Sequence, residues 1–312
     1  MVSIALPVKD PLLSVAGTSG DDVWMVTSGN NVLRWDGRSV RIAARGACAY
    51  KGDPQNTVAA YCAPRFGAIA VTRDEILLGG RICDDNGSLT PYLAKLTRGG
   101  KVTCDCRPRP PGGVQSGLLA RGSSMLHFGY GYLTGLDGTP LPVPLDNDLP
   151  LLQSIAAFPS LLGLWGASDR SLARFNGLAW VQGPDAPFPV ASLWVDDQST
   201  AWAISAGGRS LAQLKGSEWT VLPVPPGFEA SHMEGSSSTD VWFFGPDQVT
   251  QWDGQRYRRA QSLVRDVEST WRDPAGAIWV VGGSVPRDDG LMIPPESKGV
   301  AIRVPSTAEQ AR

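Results

Sequence analysis

The stretch that decides the fold reads DDVWMV at residues 21–26 and is followed by WDG at residues 35–37. The same order returns as DVWFFG at residues 240–245 and WDG at residues 252–254. Weaker copies of the first part read AIWVVG at 277–282 and AWAI at 201–204, and weaker copies of the second part read LKGSEW at 214–219, FNGLAW at 175–180 and LDG at 136–138. The chain is therefore built from one repeated unit.

Alignment of the copies gives one key position in each, at Trp24, Ile76, Leu126, Gly163, Trp202, Trp242 and Trp279. The spacing is about 40 residues, and short β-branched and aromatic runs alternate with glycine-rich turns, as in propeller blades of four strands. The sequence therefore predicts an all-β, seven-bladed β-propeller with four antiparallel strands per blade. Six blades remain the alternative, because the second to fourth copies lack the tryptophan.

We expect residues 1–312 to form a single β-propeller domain. The predicted blades cover approximately 9–45, 60–106, 114–144, 151–183, 190–224, 230–261 and 267–305 plus 2–8. The last copy ends after three strands, whereas VSIALPV at residues 2–8 resembles the outer-strand sequence WTVLPV at 219–224. The N-terminal strand should therefore close the last blade and cover an edge that could otherwise aggregate.

The repeated residues have structural roles in this arrangement. The aromatic side chains can pack between neighbouring blades, and Asp-Gly supplies the positive φ that a tight hairpin requires. We therefore interpret Asp-Val-Trp and Trp-Asp-Gly as scaffold and look for function elsewhere.

Composition excludes several classes of protein. The 312 residues include 36 Gly and 25 Pro, too many for a helical bundle, while a hydrophobic content of 42% is too high for a disordered chain. The formal net charge of −2 gives no bulk attraction to nucleic acid. The sequence contains no run of 18 or more apolar residues, so it predicts no membrane-spanning segment. The oligomeric state stays open.

The repeat resembles those of myxobacterial and related deltaproteobacterial surface proteins, because it joins Asp-Val-Trp, a glycine turn and Trp-Asp-Gly. DPAGAIW at residues 273–279 is similar to the repeat of periplasmic sensor-kinase propellers. The resemblance covers nearly the whole chain. It implies an extracytoplasmic propeller that serves as a binding or interaction scaffold.

The cysteines point to the same compartment. Cys48, Cys62, Cys83, Cys104 and Cys106 all fall within one fifth of the chain, which predicts local disulfides. Cys48 can pair with Cys62, and Cys83 with Cys104 or Cys106, which leaves one thiol over. Cys-x-Cys without a nearby histidine does not predict zinc. Because residues 1–9 lack the features of a secretory signal, the chain is either cytoplasmic or a mature domain. The cysteines favour a periplasmic, secreted or surface-anchored protein.

Extra chain length is concentrated in four insertions, at about residues 43–64, 83–88, 104–113 and 283–298. Propeller topology places all four on one face, in neighbouring blades seven, one and two. Elaborated loops on a rigid scaffold usually carry recognition. The predicted binding residues are Asp84, Asp85, Asn86, Arg107, Arg109, Arg287, Asp288 and Asp289.

We expect neither a cofactor nor a metal site. Residues 84–88 could hold calcium through closely spaced oxygens, but they lack the bidentate glutamate of a helix-loop-helix site. Asx-rich turns are common in solvated loops, which is the interpretation we favour.

The only catalytic candidates are His232 and Glu234. His232 falls in a row that we expect to line the central channel, with Ser14, Phe66, Ser116, Gln153, Ser192 and Ser269. Glu234 follows two residues later on the same strand face, and a His-Glu pair can act as acid and base. The other histidine, His127, we assign to the packing between blades.

The sequence thus favours a non-enzymatic binding propeller that recognises a protein or glycan partner through its insertions. A propeller enzyme, such as a lyase or glycoside hydrolase acting at the channel, is one alternative. A structural subunit of a surface assembly is the other.

Overall fold

All the secondary structure in the computed structural model is β-strand, and the described part of the chain contains no helix. The structure describes residues 1–45, 65–83, 89–105, 116–121, 124–129, 132–135, 154–157, 164–176, 180–196, 200–246, 248–262, 264–284 and 297–306. Within these ranges the strands form seven antiparallel sheets, of which six have four strands and one has three. We number the sheets in chain order.

Each of the first four sheets uses consecutive strands. Sheet 1 contains β2 (Leu12–Ser19), β3 (Asp22–Thr27), β4 (Asn31–Trp35) and β5 (Val40–Arg45). Sheet 2 contains β6 (Arg65–Val71), β7 (Ile76–Cys83), β8 (Leu89–Leu96) and β9 (Val102–Asp105). Sheet 3 contains β10 (Ser116–Arg121), β11 (Ser124–Gly129) and β12 (Tyr132–Gly135). Sheet 4 contains β13 (Ser154–Ala157), β14 (Leu164–Ser168), β15 (Ser171–Phe175) and β16 (Trp180–Gln182).

The remaining sheets repeat this order until the last, which is completed by the N-terminus. Sheet 5 contains β17 (Val190–Val195), β18 (Ala201–Ser205), β19 (Leu211–Lys215) and β20 (Glu218–Leu222). Sheet 6 contains β21 (His232–Ser237), β22 (Asp240–Phe244), β23 (Gln248–Trp252) and β24 (Tyr257–Gln261). Sheet 7 contains β25 (Asp266–Arg272), β26 (Ile278–Gly283), β27 (Gly299–Val304) and, as its outer strand, β1 (Val2–Ile4).

The pairing of β1 confirms the predicted closure. Val2 lies opposite Arg303 and Ile4 opposite Ala301, antiparallel to β27. The N-terminus therefore covers the outer edge of sheet 7, which would otherwise expose unpaired backbone groups.

The first strands of the sheets contact one another in succession, in the order β21, β25, β2, β6 and β10, and β13 and β17 precede β21 in the same way. Apolar clusters fill the spaces between neighbouring sheets. One contains Trp24 and Phe66, from sheets 1 and 2, and another contains Trp202 and Phe243, from sheets 5 and 6. Sheets packed face to face around a central axis are the arrangement of a β-propeller.

Strand register corrects two of the seven key positions. Trp24 pairs with Ala16 of β2 and with Arg34, which lies one residue before the end of β4. The residues with the equivalent pairings are Leu77 in sheet 2 and Trp165 in sheet 4. The alignment had placed Ile76 and Gly163 there. Ile76 belongs instead to the cluster against sheet 1, whereas Leu77 packs with Leu118 of sheet 3. The key position therefore faces the next sheet along the chain.

Candidate functional site

The Trp-Asp-Gly motifs hold hairpin turns together. Asp36 Oδ1 accepts hydrogen bonds from the backbone N–H groups two and three residues later, at 3.1 and 3.0 Å, and Gly37 follows at φ 90°. These bonds lower the pKa of Asp36. Trp35 Nε1 donates to the Gly20 carbonyl at 3.0 Å. The same bonds recur at Trp252 and Asp253, with Gly254 at φ 89°. The predicted scaffold role is confirmed for both motifs.

Asp22, in the first Asp-Val-Trp motif, is a buried carboxylate that joins two sheets. Its Oδ1 accepts hydrogen bonds from Trp24 Nε1 and from the Arg34 guanidinium at 3.0 Å. Its Oδ2 accepts from Thr18 Oγ1 at 2.6 Å and from Arg98 of sheet 2 at 2.7 Å. Burial raises the pKa of Asp22, but the hydrogen bonds outweigh it and leave the pKa below its ordinary value. Sequence reasoning missed Arg98, because that residue lies in the next repeat.

Asp240 holds the equivalent position in sheet 6. It accepts hydrogen bonds from Trp242 Nε1 at 3.0 Å, Gln251 Nε2 at 2.9 Å and Ser236 Oγ at 2.6 Å. The copies in sheets 5 and 7 carry Thr200 and Ala277 instead. There the buried indole N–H groups of Trp202 and Trp279 have no hydrogen-bond partner in the described part of the chain. The aspartate is thus a partner for the tryptophan where the repeat supplies one.

His232 starts β21 and contacts the neighbouring sheet. Its Nδ1 lies 3.1 Å from Ser231 Oγ, and the ring makes a hydrogen bond to the Glu268 backbone in sheet 7. Part of the side chain reaches solvent, yet the dense protein around it lowers the pKa of His232 to about 4, against the effect of that hydrogen bond. The imidazole is therefore neutral at pH 7.

Glu234 lies opposite Trp242, in the register that Trp194 and Trp271 hold in sheets 5 and 7. Its Oε1 accepts hydrogen bonds from Trp194 Nε1 and from the Gly235 backbone N–H, both at 3.2 Å. Like His232, Glu234 links its sheet to a neighbour. These contacts favour a structural role for both catalytic candidates.

Strand register changes three members of the row that was predicted around His232. Ser14, Ser192 and Ser269 are equivalent to His232, as predicted. In sheets 2 to 4 the equivalents are Ala68, Gly117 and Ser154 rather than Phe66, Ser116 and Gln153. Phe66, which the alignment put in this row, is 1% exposed and lies in the core between sheets 1 and 2. Ser14 Oγ accepts from Ile69 N at 3.2 Å, and Ser269 Oγ from Val15 N at 3.4 Å. The row therefore links successive inner strands.

The predicted binding residues lie outside the described residues: Asp84, Asp85, Asn86, Arg107, Arg109, Arg287, Asp288 and Asp289. So do Cys48, Cys62 and Cys106, while Cys83 and Cys104 are placed in β7 and β9 by their backbone. The disulfides and the calcium hypothesis remain predictions. What the structure describes is the chain on either side of each insertion.

The strand order places these flanking segments on one face, which we call the loop face. It contains the sheet-to-sheet connections and the turns between the second and third strands of each sheet. Hydrogen bonds join the two kinds of segment, as from Val190 N to Asp169 O at 2.8 Å. Gly299 N donates to Lys9 O at 2.8 Å across sheets 7 and 1, and Phe66 N donates to Asn30 Oδ1 at 3.0 Å across sheets 1 and 2.

Two further observations concern metals and membranes. Among the described residues, no three or more His, Cys, Asp or Glu side chains are arranged to hold a metal ion. In the same part of the chain, no helix has the length and apolarity needed to cross a membrane.

Comparison with solved structures identifies the architecture. YCF48, in its structure bound to D1 peptide, has a TM-score of 0.69 and 14% identity, over 98% of this chain and 95% of that one. A catalytically inactive virginiamycin B lyase from Staphylococcus aureus, solved with quinupristin, has a TM-score of 0.65 and 12% identity, over 96% and 98%. The WD40 propeller domain of Doa1 has a TM-score of 0.62 and 12% identity, over 96% and 95%. At these identities the similarity shows a β-propeller fold alone. No protein-family model and no curated protein matches the sequence.

Proposed function

We propose that the chain is a seven-bladed, extracytoplasmic β-propeller that binds a protein or glycan partner without catalysing a reaction. The partner would contact the loop face in the sector of sheets 7, 1 and 2, where the four insertions begin and end. The ring provides a rigid support, and the insertions provide the variable surface.

The observation that carries this proposal is the pair of hydrogen bonds at the two sheet boundaries of that sector. Gly299 N donates to Lys9 O beside the insertion of sheet 7, and Phe66 N donates to Asn30 Oδ1 beside the insertion after sheet 1. Ser284 N and Lys298 O close the base of the sheet 7 insertion at 2.9 Å. Insertions that start from adjoining, hydrogen-bonded bases can present one continuous surface.

The solved structures support binding by this architecture in general. YCF48 was solved bound to D1 peptide and the lyase with quinupristin, so propellers of similar fold bind ligands, in the first case a peptide. A protein partner is therefore the first class to test for this chain, and a glycan the second.

The enzyme alternative depends on His232 and Glu234. Each already makes a hydrogen bond to a neighbouring sheet, through Glu268 and Trp194 respectively. A general acid or base must instead direct its proton toward a substrate. We therefore favour binding over catalysis.

The proposed extracytoplasmic location is tested separately. We expect disulfides to accompany it, and mass spectrometry before and after reduction would detect them.

The proposal is tested by replacing residues 285–296 with two glycines, which keeps the Ser284 to Lys298 base. A random 12-residue peptide library on phage and an array of defined oligosaccharides serve as probes. As a matched control, two glycines are inserted at Gly207, an exposed turn on the same face in sheet 5. Among the ligands selected on the wild type, we expect a group that binds the deletion variant at least about tenfold more weakly and binds the control within twofold.

Circular dichroism and thermal unfolding establish that each variant is folded. Loss of the peptide ligands alone would assign a protein partner, and loss of the oligosaccharides alone a glycan. Undiminished binding of every selected ligand to a folded deletion variant would overturn the assignment of the partner to this sector.

A further inference from the structure

The outer rim between sheets 4 and 5 differs from the equivalent rims elsewhere in the ring. We call this surface the rim groove and define it by Trp165, Arg174 and Val181 of sheet 4 and by Trp219 and Val221 of sheet 5. It lies in a different sector from the insertions. Among the described residues, four large hydrophobic side chains are exposed, and Val181 and Val221 are two of them.

The sheet 4 wall is a row of three cross-strand partners. Trp165 pairs with Arg174, and Arg174 pairs with Val181. Directly opposite residues project from the same face of an antiparallel sheet. Trp165 packs in the apolar cluster shared with sheet 5, so the whole row faces sheet 5. Arg174 lies over the Trp165 ring at 5.8 Å from its centroid, and Val181 is 51% exposed.

The sheet 5 wall is the end of a matching row. Leu193 pairs with Ala203, Ala203 with Ala212, and Ala212 with Val221. Leu193 and Ala203 belong to the same cluster as Trp165, so this row faces sheet 4. Val221 is 57% exposed at its outer end. Trp219 packs against the cluster and donates its Nε1 to the Pro184 carbonyl at 3.1 Å, forming the floor.

Two other rims are closed at the position of Val221. In sheet 6 the equivalent residue is Arg259, opposite Thr250. Its guanidinium donates to the Pro225 and Pro226 carbonyls at 3.2 and 2.6 Å. In sheet 1 the equivalent is Ile42, opposite Leu33, and it packs in one cluster with residues Leu6 and Val8 of the N-terminal segment. At the rim groove, a bare valine replaces both kinds of closure.

Arg174 also differs from its equivalents. Arg34 and Gln251 hold this position in sheets 1 and 6, and each bonds to the aspartate two residues before the tryptophan. Two residues before Trp165 the sequence has Gly163, which carries no carboxylate. Arg174 is exposed and makes no ion pair within the described part of the chain. Within the described chain, Arg174 is therefore a cation without an acidic partner, directly beside the exposed Val181.

We propose that the rim groove is a second docking surface, which binds an extended segment of a partner protein carrying a carboxylate beside an aliphatic side chain. The carboxylate complements Arg174, whose planar guanidinium suits bidentate binding. The aliphatic side chain covers Val181 and Val221. An extended segment fits because two outer strands, β16 and β20, border the groove.

The test uses a random 12-residue peptide library on phage, selected on the full wild-type chain and counter-selected on the Arg174→Glu, Val221→Asp double variant. We expect enriched peptides to contain an acidic residue next to an aliphatic one. Their dissociation constants should rise at least tenfold in Arg174→Glu and in Val221→Arg. The second substitution places an arginine where sheet 6 has Arg259, which covers the rim there. Arg256→Glu removes another exposed arginine, 72% exposed in its side chain, and should leave binding within twofold.

The outcomes also separate this proposal from the loop-face one. Rim-groove peptides should bind the chain lacking residues 285–296 as well as they bind the wild type. No enrichment, or enriched peptides that bind both single variants equally well, would overturn the proposal. So would a wild-type dimer, measured by sedimentation, that Val221→Asp converts to monomer, since a second copy would then be the occupant.

Discussion

Asp22 illustrates how one residue type can be both buried and charged in this molecule. It is 8% exposed, a position at which an unpaired carboxylate would be costly. Arg34 and Arg98 supply opposite charge, and Thr18 and Trp24 supply neutral donors. Because Arg98 comes from sheet 2, the cost of burying the charge is fully offset only when the two sheets are together. Asp22 therefore couples the repeat motif to the assembly of the ring.

His232 should make stability depend on pH. Its folded pKa of about 4 lies below the ordinary value of 6.5, so the unfolded chain binds a proton first as the pH falls. The contribution of the neutral His232 side chain to folding stability is fully present above pH 6.5 and is lost as the pH falls toward 4. Between pH 7 and 4.5 we expect His232 to account for a loss of about 2 kcal/mol in the free energy of unfolding. Urea denaturation of wild type and His232→Gln at both pH values measures it.

The matched control is His127→Gln, which removes the other histidine and keeps His232. Adding His232→Gln to this variant should reduce the loss of stability on acidification by as much as it does in the wild type. If His232→Gln changes that loss in neither background, His232 does not have a depressed pKa in the folded state.

At the level of the strand, the sequence placed the key position correctly in five sheets, four of them marked by a tryptophan, and misplaced it in sheets 2 and 4. Trp24, Trp202, Trp242 and Trp279 are register equivalents. In sheet 2, Ile76 and Leu77 are both apolar, and both are 1% exposed. Composition cannot separate them, although a shift of one residue reverses the face. In sheet 4 the alignment passed over Trp165, because the spacing does not separate it from Gly163: both positions lie about 40 residues from the key positions of the neighbouring copies.

Glycine at the end of the first strand permits two sheets to approach. A Cβ at Gly235 would lie 2.8 Å from Trp194 Cη2 and 2.8 Å from the Asp240 carbonyl oxygen. Gly235→Ala should therefore lower the free energy of unfolding by about 2 kcal/mol through overpacking. Guanidinium denaturation followed by tryptophan fluorescence measures the change.

Gly207→Ala is the control, because a Cβ there meets nothing within 4 Å. Its stability should stay within about 0.5 kcal/mol of the wild type. Equal stability of the two variants would show that Trp194 and the backbone move aside at little cost. Gly17 lies under Trp271 in the same way, so Gly17→Ala should repeat the effect of Gly235→Ala.

For the whole molecule, the repeat predicted the closure of sheet 7 but could not reveal the rim groove. The closure follows from counting strands in each copy. The groove depends on which side chains of two different repeats face each other. It also depends on two features that other sheets have and the groove lacks: an arginine that covers the rim, as Arg259 does in sheet 6, and an aspartate that pairs with the arginine, as Asp22 does in sheet 1. Those features appear only when equivalent positions are compared in three dimensions. The insertions are predicted from length alone, and only the bases of those insertions have been placed.

The N-terminal segment makes the ring a closed unit, and removing it should be both destabilising and reversible in trans. Ile4, Leu6 and Val8 pack against the cluster between sheets 7 and 1, so deleting residues 2–8 should cost about 3–5 kcal/mol of the free energy of unfolding. The deletion also exposes the edge of β27, which favours association between chains.

A synthetic peptide of residues 1–10 should restore the missing strand by β-strand addition and raise the unfolding midpoint with peptide concentration. A scrambled peptide should not. Thermal unfolding and light scattering measure both effects. A deletion variant that keeps wild-type stability, or that responds equally to both peptides, would show that β1 does not close the ring.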